Sequence, residues 1–93
     1  MRETRIAVLK VLLKHYPNVP IHLVHRANPK HPFSGARRLR ELHAERGLQY
    51  RYRRLSKSVI ISADCRAHYH VVSSKEWLRK LLDREEREAR RGR

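Results

Sequence analysis

The chain has 93 residues, with 23 Lys and Arg against 9 Asp and Glu, a net charge of +14 and a pI near 11.2. A chain this short makes one domain with a modest core, which leaves no room for a large enclosed active site. A charge of this size exceeds what solubility needs and points to a polyanionic partner, nucleic acid ahead of a membrane; no apolar run approaches the roughly 18–20 residues of a membrane span.

The charge is unevenly placed. Residues 1–72 hold 15 basic and 4 acidic side chains, a net +11, whereas residues 73–93 hold 8 and 5, a net +3. The single cysteine, Cys65, excludes an intrachain disulfide and suits a reducing compartment. Arg2, Glu3 and Arg5 are mixed with apolar residues without a small-residue cleavage site, so no secretory signal is expected and the expected location is the cytoplasm.

In residues 4–15, Ile6, Leu9, Leu12 and Leu13 recur at helical spacing with Lys10 and Lys14 on the polar edge. This predicts the main core helix, capped by Thr4 and stopped before Pro17. Pro20 suits the first turn of a second, short helix that would bury Ile21, Leu23, Val24 and Ala27. Asn28–Pro29 and His31–Pro32 then break the chain, and Phe33 is expected to dock into the core. The two short helices on either side of this break form a helix-turn-helix layout.

The second of them is the stretch 34–46, SGARRLRELHAER. Ala36, Leu39, Leu42 and His43 share one face; Ser34, Arg37, Arg38, Glu41 and Glu45 share the other. Ser34 is expected to cap the helix and Gly47 to end it in the left-handed conformation. His43, on the apolar face, reads as a packed, hydrogen-bonded core residue. A helix of this size fits the DNA major groove.

Behind it, Leu48, Tyr50 and Tyr52 alternate with Gln49, Arg51 and Arg53, the period of a half-buried strand with a basic outer face. In residues 67–72, Tyr69 and Val71 fall on one side and His68 and His70 on the other. Between the two lie a short apolar run, Val59 to Ile61, and a turn over Ala63 to Arg66. A hairpin loop carrying Arg54, Lys57 and Arg66 reads as a basic wing.

Ser73 to Glu76 matches the S-x-x-E capping box. Trp77, Leu78, Leu81 and Leu82 form an apolar stripe that either packs on the helix at Ile6–Leu13 or gives a homodimer its interface. Beyond Leu82 the stripe stops, and the last ten residues are expected to project into solvent, supported by pairs Asp83–Arg87, Arg84–Glu88 and Glu86–Arg90. Seven histidines and one cysteine do not match the ligand spacings of structural zinc. Cys65 lacks an activating neighbourhood, and neither a phosphate-cradling glycine loop nor a carboxylate pair is present. No catalysis, cofactor or metal is expected.

The run ARRLRELHAERGLQYRYRR followed by HYHVV resembles the winged helix-turn-helix modules of many bacterial and phage proteins. The resemblance covers residues 4–72 and is most specific at Arg37-Arg38-Leu39-Arg40-Glu41-Leu42 with Gly47 and Tyr69. It implies an α+β fold, a three-helix bundle with a β-hairpin wing, over residues 1–72, followed by a C-terminal amphipathic helix and charged tail over 73–93. It also implies non-catalytic binding of double-stranded DNA by a transcription regulator or phage accessory protein. Ser34, Arg37, Arg38 and Glu41 match the groove-facing positions of the family. Of these, Arg37 and Arg38 suit guanine edges, while Lys30, Arg53, Arg54 and Lys57 suit phosphates. The same charge also fits an RNA-binding or ribosome-associated protein, or an adaptor that docks on an acidic partner.

Overall fold

A computed structural model describes residues 2–54 and 67–91. Seven elements follow in order: α1 (Arg2–His15), β1 (Asn18–Pro20), α2 (Ile21–His25), α3 (Gly35–Arg46), β2 (Tyr50–Arg54), β3 (Ala67–Val71) and α4 (Lys75–Arg91). The fold is α+β, with four helices and one three-stranded antiparallel sheet in the order β1-β3-β2 among the described residues. None of these helices is long and apolar enough to cross a membrane.

Of the helical stripe read from residues 4–15, Ile6 and Leu13 are half-buried, while Leu9 and Leu12 are fully inaccessible, as is the neighbouring Val8. One core gathers them with Val19, Val24, Leu39, Leu42, Leu48, Val71, Leu78 and Leu81. The sheet covers one end of this core. Because paired residues of antiparallel strands point to one side, Val19, Tyr69, Tyr52, Tyr50 and Val71 face the helices. The other side carries Asn18, Pro20, His68, His70, Arg51 and Arg53.

β1 is not foreseen in the sequence. Three residues are too few to show an alternating pattern, and its partner lies some fifty positions on, Asn18 opposite His70 and Val19 opposite Tyr69. Thr4 is not a cap either. It is buried inside α1, where its hydroxyl accepts a hydrogen bond from Asn28 Nδ2 at 3.0 Å. Asn28 in turn accepts from the Lys30 amide at 3.1 Å, which shapes the turn before Pro29 to Phe33.

Phe33 does not dock. It is 90% exposed, because the inward position at this end of α3 belongs to Gly35, two residues later. Ser34 does not cap α3 with its side chain; it has helical backbone angles and offers only its carbonyl, to Arg38 N at 3.0 Å. Gly47 does end the helix, at φ 82°, with Leu48 N donating to Leu42 O and Gly47 N to His43 O. These two bonds satisfy carbonyls that the end of the helix would otherwise leave unpaired.

The cap of α4 is shifted by one residue from its expected place. Ser73 Oγ accepts from Gln49 N at 2.8 Å, so Ser74 Oγ takes the Trp77 amide instead, at 3.1 Å. The apolar stripe of α4 lies against α1 within the same chain, with Leu78 and Leu81 buried and Trp77 and Leu82 half-buried. Leu78 and Leu81 are therefore core residues, not a free dimer surface. Nor do residues 84–91 project freely. α4 runs to Arg91, Glu85 is fully buried, and Glu88 binds Arg46. Of the expected pairs along it, Asp83–Arg87 and Arg84–Glu88 form, at 3.1 and 3.3 Å.

Candidate nucleic-acid interface

The setting of α3 is decided by a close crossing. A Cβ on Gly35 would lie 1.7 Å from the Val24 carbonyl oxygen and 2.6 Å from its carbon, so α2 and α3 meet backbone to backbone there. Only glycine permits that approach. From this anchor Leu39 and Leu42 turn into the core, and the exposed stripe of the helix becomes Arg37, Arg40, His43 and Ala44.

That stripe differs from the expected one. Arg38 is only 6% exposed and is bonded through Nη1 to Glu41 at 3.0 Å; it does not point outward. Glu41 is half-buried and also accepts from Arg5 Nη2 at 3.0 Å, so it too faces the protein. The physical reason is α1: Arg5 lies beside this side of α3 and draws Glu41 and Glu45 toward it. Burial alone would weaken the Arg5 charge, but the bonds to Glu41 and Glu45 and the charges of Glu45 and Glu85 outweigh it, raising its pKa above the ordinary arginine value.

The cluster extends to α4. Arg46 donates to Glu85 at 3.2 Å and to Glu88 at 2.7 Å, and Arg5 lies 3.7 Å from Glu85. Arg5, Arg38, Arg46 and Arg84 thus face Glu41, Glu45, Glu85 and Glu88, four of each sign. The acidic residues of α3 are consumed on the α1–α4 side. α4 covers the Arg46 side of α3 and leaves the Arg37–Arg40 stripe open.

The open stripe continues into the sheet. The His43 and Tyr50 rings meet edge to face at 5.9 Å between centroids, Tyr50 and Tyr69 at 5.5 Å, and Tyr69 and Tyr52 at 6.2 Å. The His43 ring is exposed rather than packed in the core. Its Nδ1 lies 2.6 Å from the Leu48 carbonyl, which requires the proton on that nitrogen. Tyr52 is 59% exposed, and Arg54, two residues on, shares its side of the strand. Burial pushes the Tyr69 hydroxyl above its usual pKa of 10.0, with Tyr50 and Tyr52 adding and the nearby Arg40 charge opposing.

The expected contact residues therefore divide. Arg37 and Arg54 lie on this surface, with Ser34 half-buried at the start of α3 and Lys30 exposed in the preceding loop. Arg53 is exposed on the opposite side of the sheet, beside His68 of the neighbouring strand. Lys57, Arg66, Cys65 and the run Val59 to Ile61 lie outside the described residues. Arg40, Tyr52 and Tyr69, none of them expected as contact residues, join the surface. The signal for Arg40 was available: it lies three residues after Arg37, one turn along the same stripe. Among the described residues, Lys30, Arg37, Arg40, Arg51, Arg53 and Arg54 form no ion pair with an acidic side chain, and no three His, Cys, Asp or Glu side chains converge on a metal position.

Comparison with protein-family models, with curated proteins and with solved structures finds no match to this chain.

Proposed function

We propose that this chain binds double-stranded DNA without catalysis as a winged helix-turn-helix protein, with α3 in the major groove and the β2–β3 hairpin against the adjoining backbone. The observation that carries the reading is the segregation of charge around α3. Its acidic side chains Glu41 and Glu45 are paired with Arg5 and Arg38, while Arg37 and Arg40 stand open beside an exposed tyrosine and Arg54. The element order and the three-stranded antiparallel sheet are compatible with that fold.

The dimensions agree. Twelve residues make α3 about 18 Å long, enough to lie across a groove that admits one helix. Arg37 and Arg40 reach guanine edges or phosphates, whereas Arg54, on the same side of the hairpin, supplies a backbone contact and hence affinity. A role in transcription or in phage DNA handling is consistent with such a module.

Selection from a random duplex pool, followed by salt titration of the winners, tests the proposal. An enriched motif whose affinity falls steeply with salt, and falls further in Arg37→Ala and Arg40→Ala, is the expected result. Preference for structured RNA over duplex DNA at matched salt overturns it in favour of an RNA-binding protein. Weak binding to every nucleic acid points instead to an acidic protein partner.

A further inference from the structure

Phe33 is the most exposed large apolar side chain among the described residues: it is 90% exposed and takes no part in the core. The loop that carries it is well tied down. Asn28 is buried and bonded to Thr4, Lys30 N reaches Asn28 Oδ1, and His31 N reaches Asn28 O at 3.0 Å. Ser34 N then closes on His31 O at 3.2 Å, directly after the phenyl-bearing residue. Pro32 further restricts the backbone before it. The ring is thus held out on a fixed support, so ordering it on contact costs little additional entropy.

Its surroundings select the kind of surface it can meet. Residues 4–40 contain no Asp or Glu, and the exposed neighbours in sequence are Pro29, Lys30, His31, Pro32 and Arg37, of which Lys30 and Arg37 are cations. An apolar ring in a purely cationic field is matched by a polyanion that also offers a small apolar group. Duplex DNA does so in the major groove, through the thymine 5-methyl, which apolar side chains contact directly. Phe33 stands at the leading end of α3, one turn before Arg37, where a helix in that groove brings its first residues to the base edges.

From this we infer that Phe33 reads a thymine methyl group beside the base or phosphate contacted by Arg37. The inference rests on the DNA-binding reading above and adds to it a specificity determinant of apolar character.

The test is a two-by-two cycle on the selected duplex. Each thymine is replaced in turn by deoxyuridine, which removes only the methyl, and each duplex is bound to the natural protein and to Phe33→Ala. One position is expected to cost the natural protein about fourfold in affinity, the effect of burying one methyl-sized group. Phe33→Ala should bind the thymine duplex at least that much more weakly and lose nothing further on the deoxyuridine one. Folding of the variant, checked by circular dichroism, should be unchanged because the ring buries nothing.

Equal losses on thymine and deoxyuridine duplexes place the ring elsewhere on the DNA and overturn the inference, as does an unaffected Phe33→Ala. Vesicles of anionic lipid serve as the third arm. Binding to them that depends on Phe33, with duplex binding intact, assigns the ring to a membrane surface instead. If no duplex is selected at all, the DNA reading itself fails and the thymine contact with it. A motif that is selected but insensitive to the methyl groups overturns only the latter.

Discussion

Replacing Gly35 by alanine sets two physical effects against each other. Helix propensity alone favours the change by about 1 kcal/mol, since alanine in a helix loses less backbone entropy than glycine. The structure predicts the opposite sign. The new methyl would sit 1.7 Å from the Val24 oxygen, and ordinary contact begins at 3.4 Å, so α2 and α3 must separate by roughly 1.7 Å at that point. The obstructing atoms are backbone, which cannot swing aside as a side-chain tip does. α2 has only five residues and is pinned by the fully buried Val24, so it is the element that moves. Uncovering a valine costs about 1.5–3 kcal/mol. Net of the propensity gain, Gly35→Ala should lose about 0.5–2 kcal/mol, or about 2–16 °C in Tm for a domain of this size. Urea unfolding followed by circular dichroism and Trp77 fluorescence measures it. Gly47→Ala is the control: no atom lies within 4 Å of its Cβ position, and only the left-handed backbone at φ 82° is penalised, by about 1–2 kcal/mol. A Gly35→Ala variant as stable as the natural chain, or more so, would refute the backbone crossing and the placement of α3 that depends on it.

Other outcomes follow from the same geometry. Removing Glu85 leaves Arg5 and Arg46 short of a fully buried carboxylate while each keeps another acidic partner, so Glu85→Ala should cost about 3 kcal/mol in urea unfolding, the lower end for a broken buried pair; a loss under about 1 kcal/mol would contradict it. Arg38→Ala and Arg40→Ala should separate cleanly. The first should lower stability by about 1–3 kcal/mol with little change in the salt slope of duplex binding. The second should leave stability intact and reduce that slope by about one unit if Arg40 meets a phosphate. Tyr69 should ionise later than an unfolded tyrosine. The folded chain then holds more protons above pH about 10, so this residue's contribution to stability is complete below that pH and is lost as pH rises through its raised folded pKa. Ultraviolet absorbance of tyrosinate, compared with that of Tyr69→Phe, follows this directly, and a titration unchanged by the substitution would count against the assigned burial.

The contact surface was partly readable from the sequence, and the errors share one cause. Arg37 is open on α3, as its helical period alone predicts, whereas Arg54, expected in the hairpin loop, is the last residue of β2. Arg38 was placed outward and Arg40 overlooked because the helix was oriented by its leucines alone. The stripe Leu39–Leu42 leaves freedom about the helix axis, and Arg5, more than thirty positions earlier, takes it up by binding Glu41 and Glu45. Phe33 was assigned to the core on its chemistry, whereas the buried place at that end of α3 had to go to a residue with no side chain.

By itself the sequence determined what depends on near neighbours along the chain: the helical stripes of α1, α3 and α4, the alternation of β2 and β3, the left-handed stop at Gly47 and an excess of positive charge suited to a polyanion. Only the tertiary structure decided what depends on distant partners. β1 exists because β3 offers it hydrogen bonds, Ser74 caps α4 because Ser73 is taken by Gln49, and Leu78 and Leu81 are core because α1 lies beneath them. Which arginines stand open was settled in the same way. A short-range period fixes which residues share a face, but the direction in which that face looks depends on charges and backbones that the chain brings together only when it folds.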